Sequence, residues 1–133
     1  MNKLKGKITE IKTHHHISLV SVGVNTDILH ALVIETPQTA PYLKIGTEVS
    51  LLFKETEVSL AKNLSGFICF GNRIKAKVSK IEQNPLLAQV TLNYYGKNIT
   101  SIISATAIER MQLKENDDVE WLVKANEISI LAE

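Results

Sequence analysis

At 133 residues, with 44% hydrophobic and 22% charged side chains, the chain has room for one average domain or two very small ones and has ordinary globular composition, which excludes a disordered tail protein. A net charge of +1 gives no general attraction to polyanions, and a single cysteine, Cys69, excludes an internal disulfide framework and suits a reducing compartment. No apolar run follows the early lysines and none is long enough to span a bilayer, so the expectation is a cytoplasmic protein with no membrane partner.

In chain order, Leu4 to Ile11 and Ile17 to Val24 alternate apolar and polar residues, as half-buried strands do. Asn25-Thr26-Asp27 is a turn, and Ile28 to Ile34 is an apolar run short enough for a buried strand. Thr36 as cap and Pro37 at the first helical position predict a short helix to about Leu43, stopped by Lys44-Ile45-Gly46. Thr47 to Phe53 and Val58 to Ala61 supply two more strands around the bend Lys54-Glu55-Thr56-Glu57. The same order then returns: strands at 74–81, 88–94, 99–104, 119–123 and 128–131, with a short helix near 106–111.

The return is a repeat at a constant offset of seventy positions, without gaps, from Lys3–Asn63 to Arg73–Glu133. Leu4-Lys5-Gly6-Lys7-Ile8 matches Ile74-Lys75-Ala76-Lys77-Val78, and Lys54 to Ser59 matches Lys124 to Ser129. The prediction is an all-β protein of two tandem five-stranded Greek-key barrels of the oligonucleotide/oligosaccharide-binding type, each with one short helix. Residues 1–63 form the first module, 64–72 a connector and 73–133 the second module. Because Phe67-Ile68-Cys69-Phe70 is apolar, the connector is expected to pack as an extra strand or brace, with the Cys69 thiol in packing rather than catalysis. Modules of about sixty residues hold little core each, which predicts self-association.

Few residues carry chemistry. His14-His15-His16 could suggest a metal, but three consecutive side chains cannot converge on one ion and the matching residues are Asn84, Pro85 and Leu86, so a solvated hairpin is expected and no metal site. His30 is read as a strand residue. Aromatic content of 5% and balanced charge give no stacking platform for nucleic acid. No nucleophile-base-acid set or phosphate loop is present, so no catalytic residues are assigned and no enzyme is expected. What recurs is a lysine at the end of each fourth strand, Lys54 and Lys124, followed two positions later by Thr56 and Asn126 at a bend where backbone amides become available. A cation, neutral donors and amides at one bend suit a small anion.

Together these residues resemble a pair of Mop domains, the molbindin or TOBE-type modules that bind molybdate and tungstate. The resemblance rests on Asn2-Lys3-Leu4-Lys5-Gly6-Lys7-Ile8, similar to the family's Asn-x-Leu-x-Gly-x-Val, on the two lysine bends, and on Ile103 to Asn116, similar to the stretch through the family's short helix. It implies a tetrahedral oxyanion, molybdate or tungstate, held between modules as a bound ligand with no organic cofactor. It also implies storage, buffering or sensing, and a homo-oligomer, a trimer or a dimer of double modules. Residue by residue, Lys54 and Lys124 stand at the family's lysine and Ser104 at its strand-three threonine, where the first repeat has Ile34. Asn2 and Asn72 stand at the close of its Ser-Ala-Arg-Asn opening, and Cys69-Phe70-Gly71 before Asn72 supplies neither the serine nor the arginine. The competing expectation is a ligand-free Mop-like module acting through protein contacts.

Overall fold

The computed structural model describes residues 1–133. Ten strands and one helix follow in order: β1 (Asn2–His14), β2 (Ile17–Val24), β3 (Asp27–Val33), β4 (Glu48–Phe53), β5 (Ser59–Ala61), β6 (Asn72–Gln83), β7 (Leu87–Tyr94), β8 (Lys97–Ser104), α1 (Ala105–Met111), β9 (Asp118–Val123) and β10 (Ser129–Ala132). Single 3-10 turns at Glu55–Glu57 and Ala125–Glu127 separate β4 from β5 and β9 from β10. They make two five-stranded antiparallel sheets, β10-β4-β1-β2-β3 and β5-β9-β6-β7-β8.

The fifth strands are exchanged. Ser59–Ala61 leaves the first repeat to pair with β9, with Leu60 opposite Trp121, and Ser129–Ala132 returns to pair with β4, with Ile130 opposite Leu51. Neither sheet is complete without the other half, and the core is continuous across the junction. Trp121 stacks on Phe53 at 5.4 Å and meets Tyr94 edge-on at 5.7 Å. The Tyr94 hydroxyl crosses to the first half, donating to Asp27 Oδ2 at 2.7 Å and Val24 O at 3.2 Å, and burial with the Asp27 bond pushes its ionisation well above the usual tyrosine range.

Alternation places Leu4 and Ile8 of β1, and Ile74 and Val78 of β6, inward. Each strand then bulges, at Thr9 and at Ser79, and bends so that Ile8 and Val78 also bond the loop entering the fourth strand. The hairpin ends fall where the sequence puts Asn25 and Tyr95-Gly96, all three at positive φ.

Two expectations are corrected. Thr36 to Leu43 is a series of turns, not a helix: the Thr39 and Ala40 amides both donate to Thr36 O, but the next helical bond would need an N–H from Pro41. The second repeat has Met111 there, and α1 forms, capped by the Ser104 hydroxyl accepting from Ala107 N–H at 3.2 Å. The connector is neither a strand nor a brace. Phe67 is fully exposed at 108% and Cys69 is exposed. Polar groups hold the segment instead: the Arg73 guanidinium donates to Leu64 O at 2.9 Å and Gly66 O at 3.4 Å, and Lys62 Nζ meets Asp117 at 2.9 Å.

Candidate functional site

Each lysine bend is built from both halves. Lys54 follows β4, and the turn after it packs on β8; Lys124 follows β9, and its turn packs on β3. The bends are shaped by the glutamates that repeat with them, since Glu57 and Glu127 each accept a hydrogen bond from the backbone N–H of their lysine at 3.3 Å. This anchors the turn while Lys54 and Lys124 extend into solvent outside every ion pair of the protein. Thr56 and Asn126 are exposed at the middle of each turn. The amides of Glu57 and Val58, and of Glu127 and Ile128, close the turns on Lys54 O, Glu55 O, Lys124 O and Ala125 O. The two leading amides of each turn take no part in that closure.

Asn2 lies opposite Phe53 and Asn72 opposite Val123, each beside its lysine, but both are buried and hydrogen-bonded within the protein. Asn72 Oδ1 accepts from His30 N–H at 2.6 Å, and its amide donates to His30 O at 3.0 Å and Val123 O at 3.1 Å. Asn2 makes the corresponding pair with Thr100, accepting from its N–H and donating to its carbonyl, both at 2.8 Å. Each asparagine thus reads the backbone of the other half's third strand as a neighbouring strand would. With its amide protons engaged, Asn72 offers none to a ligand. Ser104 is also distant from the bend next to it. Ser101 is the β8 residue that reaches the bend, its hydroxyl donating to Val58 O at 2.6 Å, and Ser104 lies about 10 Å further along the strand.

Sequence reasoning passed over this cross-half floor of Thr100, Ser101 and His30. The available signal was that 30 and 100 share the repeat register and that an asparagine heads both β1 and β6. His30, read as a plain strand residue, has its backbone clasped by Asn72 and its Nδ1 3.0 Å from Ser21 Oγ. His14, His15 and His16 are exposed at the β1–β2 hairpin, and no three His, Cys, Asp or Glu side chains gather as a metal centre would require.

The bends differ in charge. The first carries Glu55, whose carboxylate is 2.7 Å from the Met1 amino nitrogen and is held below its usual range by that hydrogen bond. The second has Ala125 at that position and so one carboxylate fewer beside its lysine.

Comparison with known proteins agrees with this architecture. The TOBE domain family matches residues 71–130. Molybdenum-pterin-binding proteins 1 and 2 of Clostridium pasteurianum are 36% and 37% identical over 62 residues, 46% of this chain and 91% of each relative. The structure of the cytoplasmic molybdate-binding protein ModG, with molybdate bound, superposes with a TM-score of 0.92 at 26% identity, covering 99% of this chain and 96% of that one. The chain belongs to the TOBE/Mop-domain family, with two modules in the tandem, strand-sharing arrangement its own sheets display.

Proposed function

We propose that this protein is a non-enzymatic, cytoplasmic binder of molybdate or tungstate, serving storage, buffering or sensing. The observation that carries the reading is the match along 99% of the chain to a structure holding molybdate, together with the doubled lysine bends. Lys54 with Thr56 and Lys124 with Asn126 supply charge and neutral donors to the oxyanion. Ser104 caps α1 at the end of β8, about 10 Å along the strand from the bend, and is left out of the oxyanion's donors. Asn2 and Asn72 act by position, fixing each bend against the third strand of the other half. A dianion taken from water needs charge-assisted hydrogen bonds in return, and each lysine provides one of about 1.5–3 kcal/mol.

Calorimetric titration with molybdate, tungstate, sulfate and phosphate tests the reading. Lys54→Met and Lys124→Met should each weaken molybdate binding by about 1.5–3 kcal/mol at their own site without unfolding the protein. No molybdate or tungstate binding at millimolar concentration, or unchanged affinity in the double Met variant, would replace this reading with the ligand-free module acting through protein contacts.

We further propose that the protein self-associates, as a trimer or a dimer of double modules. Exposed Ile17, Ile28, Leu32 and Ile34 on the outer side of β2 and β3 support this, as does exposed Phe67. A strict monomer by light scattering at micromolar concentration would refute it.

A further inference from the structure

Between the two halves lies a cavity of about 330 Å³ that the lysine bends do not line. Its walls are Lys3 and Lys5 from β1, Asn25 from the β2–β3 turn, and Tyr95 and Lys97 from the β7–β8 turn. None of the protein's ion pairs involves Lys3, Lys5 or Lys97. Glu133 bonds Ser50, the cross-strand partner of Lys5; the Ser50 hydroxyl holds its carboxyl below the usual range and Lys5 and Lys3 add to that without forming an ion pair with it. The cluster is not a by-product of the repeat. At the equivalent place on the other side of the junction, Arg73 is committed to Glu120 at 2.6 Å and to connector carbonyls, and Lys97 is replaced by Asp27, itself bonded to Tyr94. Three lysines that form no ion pair line this cavity.

We propose that this cavity binds an oligophosphate, a chain of two or three phosphoryl groups. Three lysines match a polyvalent anion rather than a single tetrahedral one, since each ammonium acts as a point charge that a separate phosphoryl group can meet. The volume falls at the lower end of small-molecule pockets and exceeds what one tetrahedral oxyanion fills. The Asn25 amide adds a neutral donor. The Tyr95 ring, held by its hydroxyl bond to Thr26 Oγ1 at 2.7 Å, adds a wall on which a planar base could rest. The phosphoryl chain could come from an inorganic polyphosphate or from a nucleotide.

The test is titration of the intact protein with tripolyphosphate, ATP and orthophosphate at low and physiological ionic strength. Tripolyphosphate should bind at least tenfold more tightly than orthophosphate, and saturating molybdate should leave it bound. Lys97→Gln should weaken tripolyphosphate at least tenfold, whereas Lys75→Gln, which removes the same charge outside the cavity, should weaken it less than twofold. Equal affinity for ATP would assign the site to the phosphoryl chain alone; tighter ATP binding lost in Tyr95→Ala would assign it to nucleotides. No tripolyphosphate binding at millimolar concentration, displacement by molybdate, or equal effects of Lys97→Gln and Lys75→Gln would overturn the proposal.

Discussion

The outer side of β2 and β3 in the first half and that of β7 and β8 in the second occupy equivalent places on the same backbone, yet one is oily and the other wet. Cross-strand neighbours Leu19 and Leu32, with Ile28 beside Gly23, face outward in the first half; their counterparts pair Gln89 with Ile102 and Asn93 with Asn98. The inward positions keep their apolar character in both, as Val20, Val22 and Leu29 match Val90, Leu92 and Ile99. Duplication therefore preserved the side that closes the core and released the side that meets everything else. Sequence similarity between the halves reports on folding, and their differences report on partners and ligands.

The comparison is broken most severely at Trp121, whose counterpart is Leu51. Because the indole packs on Phe53 from the first half and Tyr94 from the second, Trp121→Ala should cost about 3–5 kcal/mol. Urea unfolding followed separately in the two sheets should still give one shared transition, and two separate transitions would show that the halves are independent. Next come the asparagine clasps. Asn72→Ala loses three hydrogen bonds and Asn2→Ala two, so the costs should be about 3 and about 2 kcal/mol, with backbone groups of His30 and Thr100 left unpaired. Amide exchange at those two residues should rise in the matching variant.

A smaller difference is expected at Gly6 and Ala76. A Cβ added at Gly6 would come within 2.5 Å of Gly23 O and 2.7 Å of a Val22 methyl, so Gly6→Ala should destabilise by about 1–3 kcal/mol. Ala76→Gly should cost only about 0.5–1 kcal/mol, through backbone entropy. Equal effects in thermal melts would mean that the halves pack alike at this point. The mildest contrast is in acid. Asp117 is held below the usual carboxylate range by Lys62 and by the Lys114 N–H, a tie whose repeat counterparts, Thr47 and Ala132, cannot form. Its stabilisation is present above about pH 4 and is lost as pH falls through the lowered folded value. Lys62→Met should therefore narrow the gap between urea midpoints at pH 7 and pH 3.

Strand positions, hairpin turns and the repeat were legible because alternation and turn chemistry are local. The failures each have a physical reason. Pro41 outweighed the helix-opening signal at Thr36-Pro37 by deleting one donor. Apolar Phe67 misled because hydrophobicity says that burial is favourable, not that a surface is available to provide it. The exchange of β5 and β10 is invisible to periodicity, which fixes which side of a strand faces inward but not which strand lies beside it. Lys54 and Lys124 could be picked out by their recurrence. The clasping role of Asn2 and Asn72 could not, because their backbone partners lie in the opposite repeat.

The exchanged strands also set an order of events during synthesis. As the chain emerges from the ribosome, β1 to β4 can assemble early, but β4 must wait with an open edge until the whole second repeat has been made and β10 arrives. During that interval β5 has no β9 to join, so the nascent first module carries an unpaired strand and an unfilled edge that fit each other's counterparts on a neighbouring nascent chain. Crowded polysomes thus let pairing between chains compete with pairing within one, and slow translation of the second repeat should raise the yield of intertwined dimers.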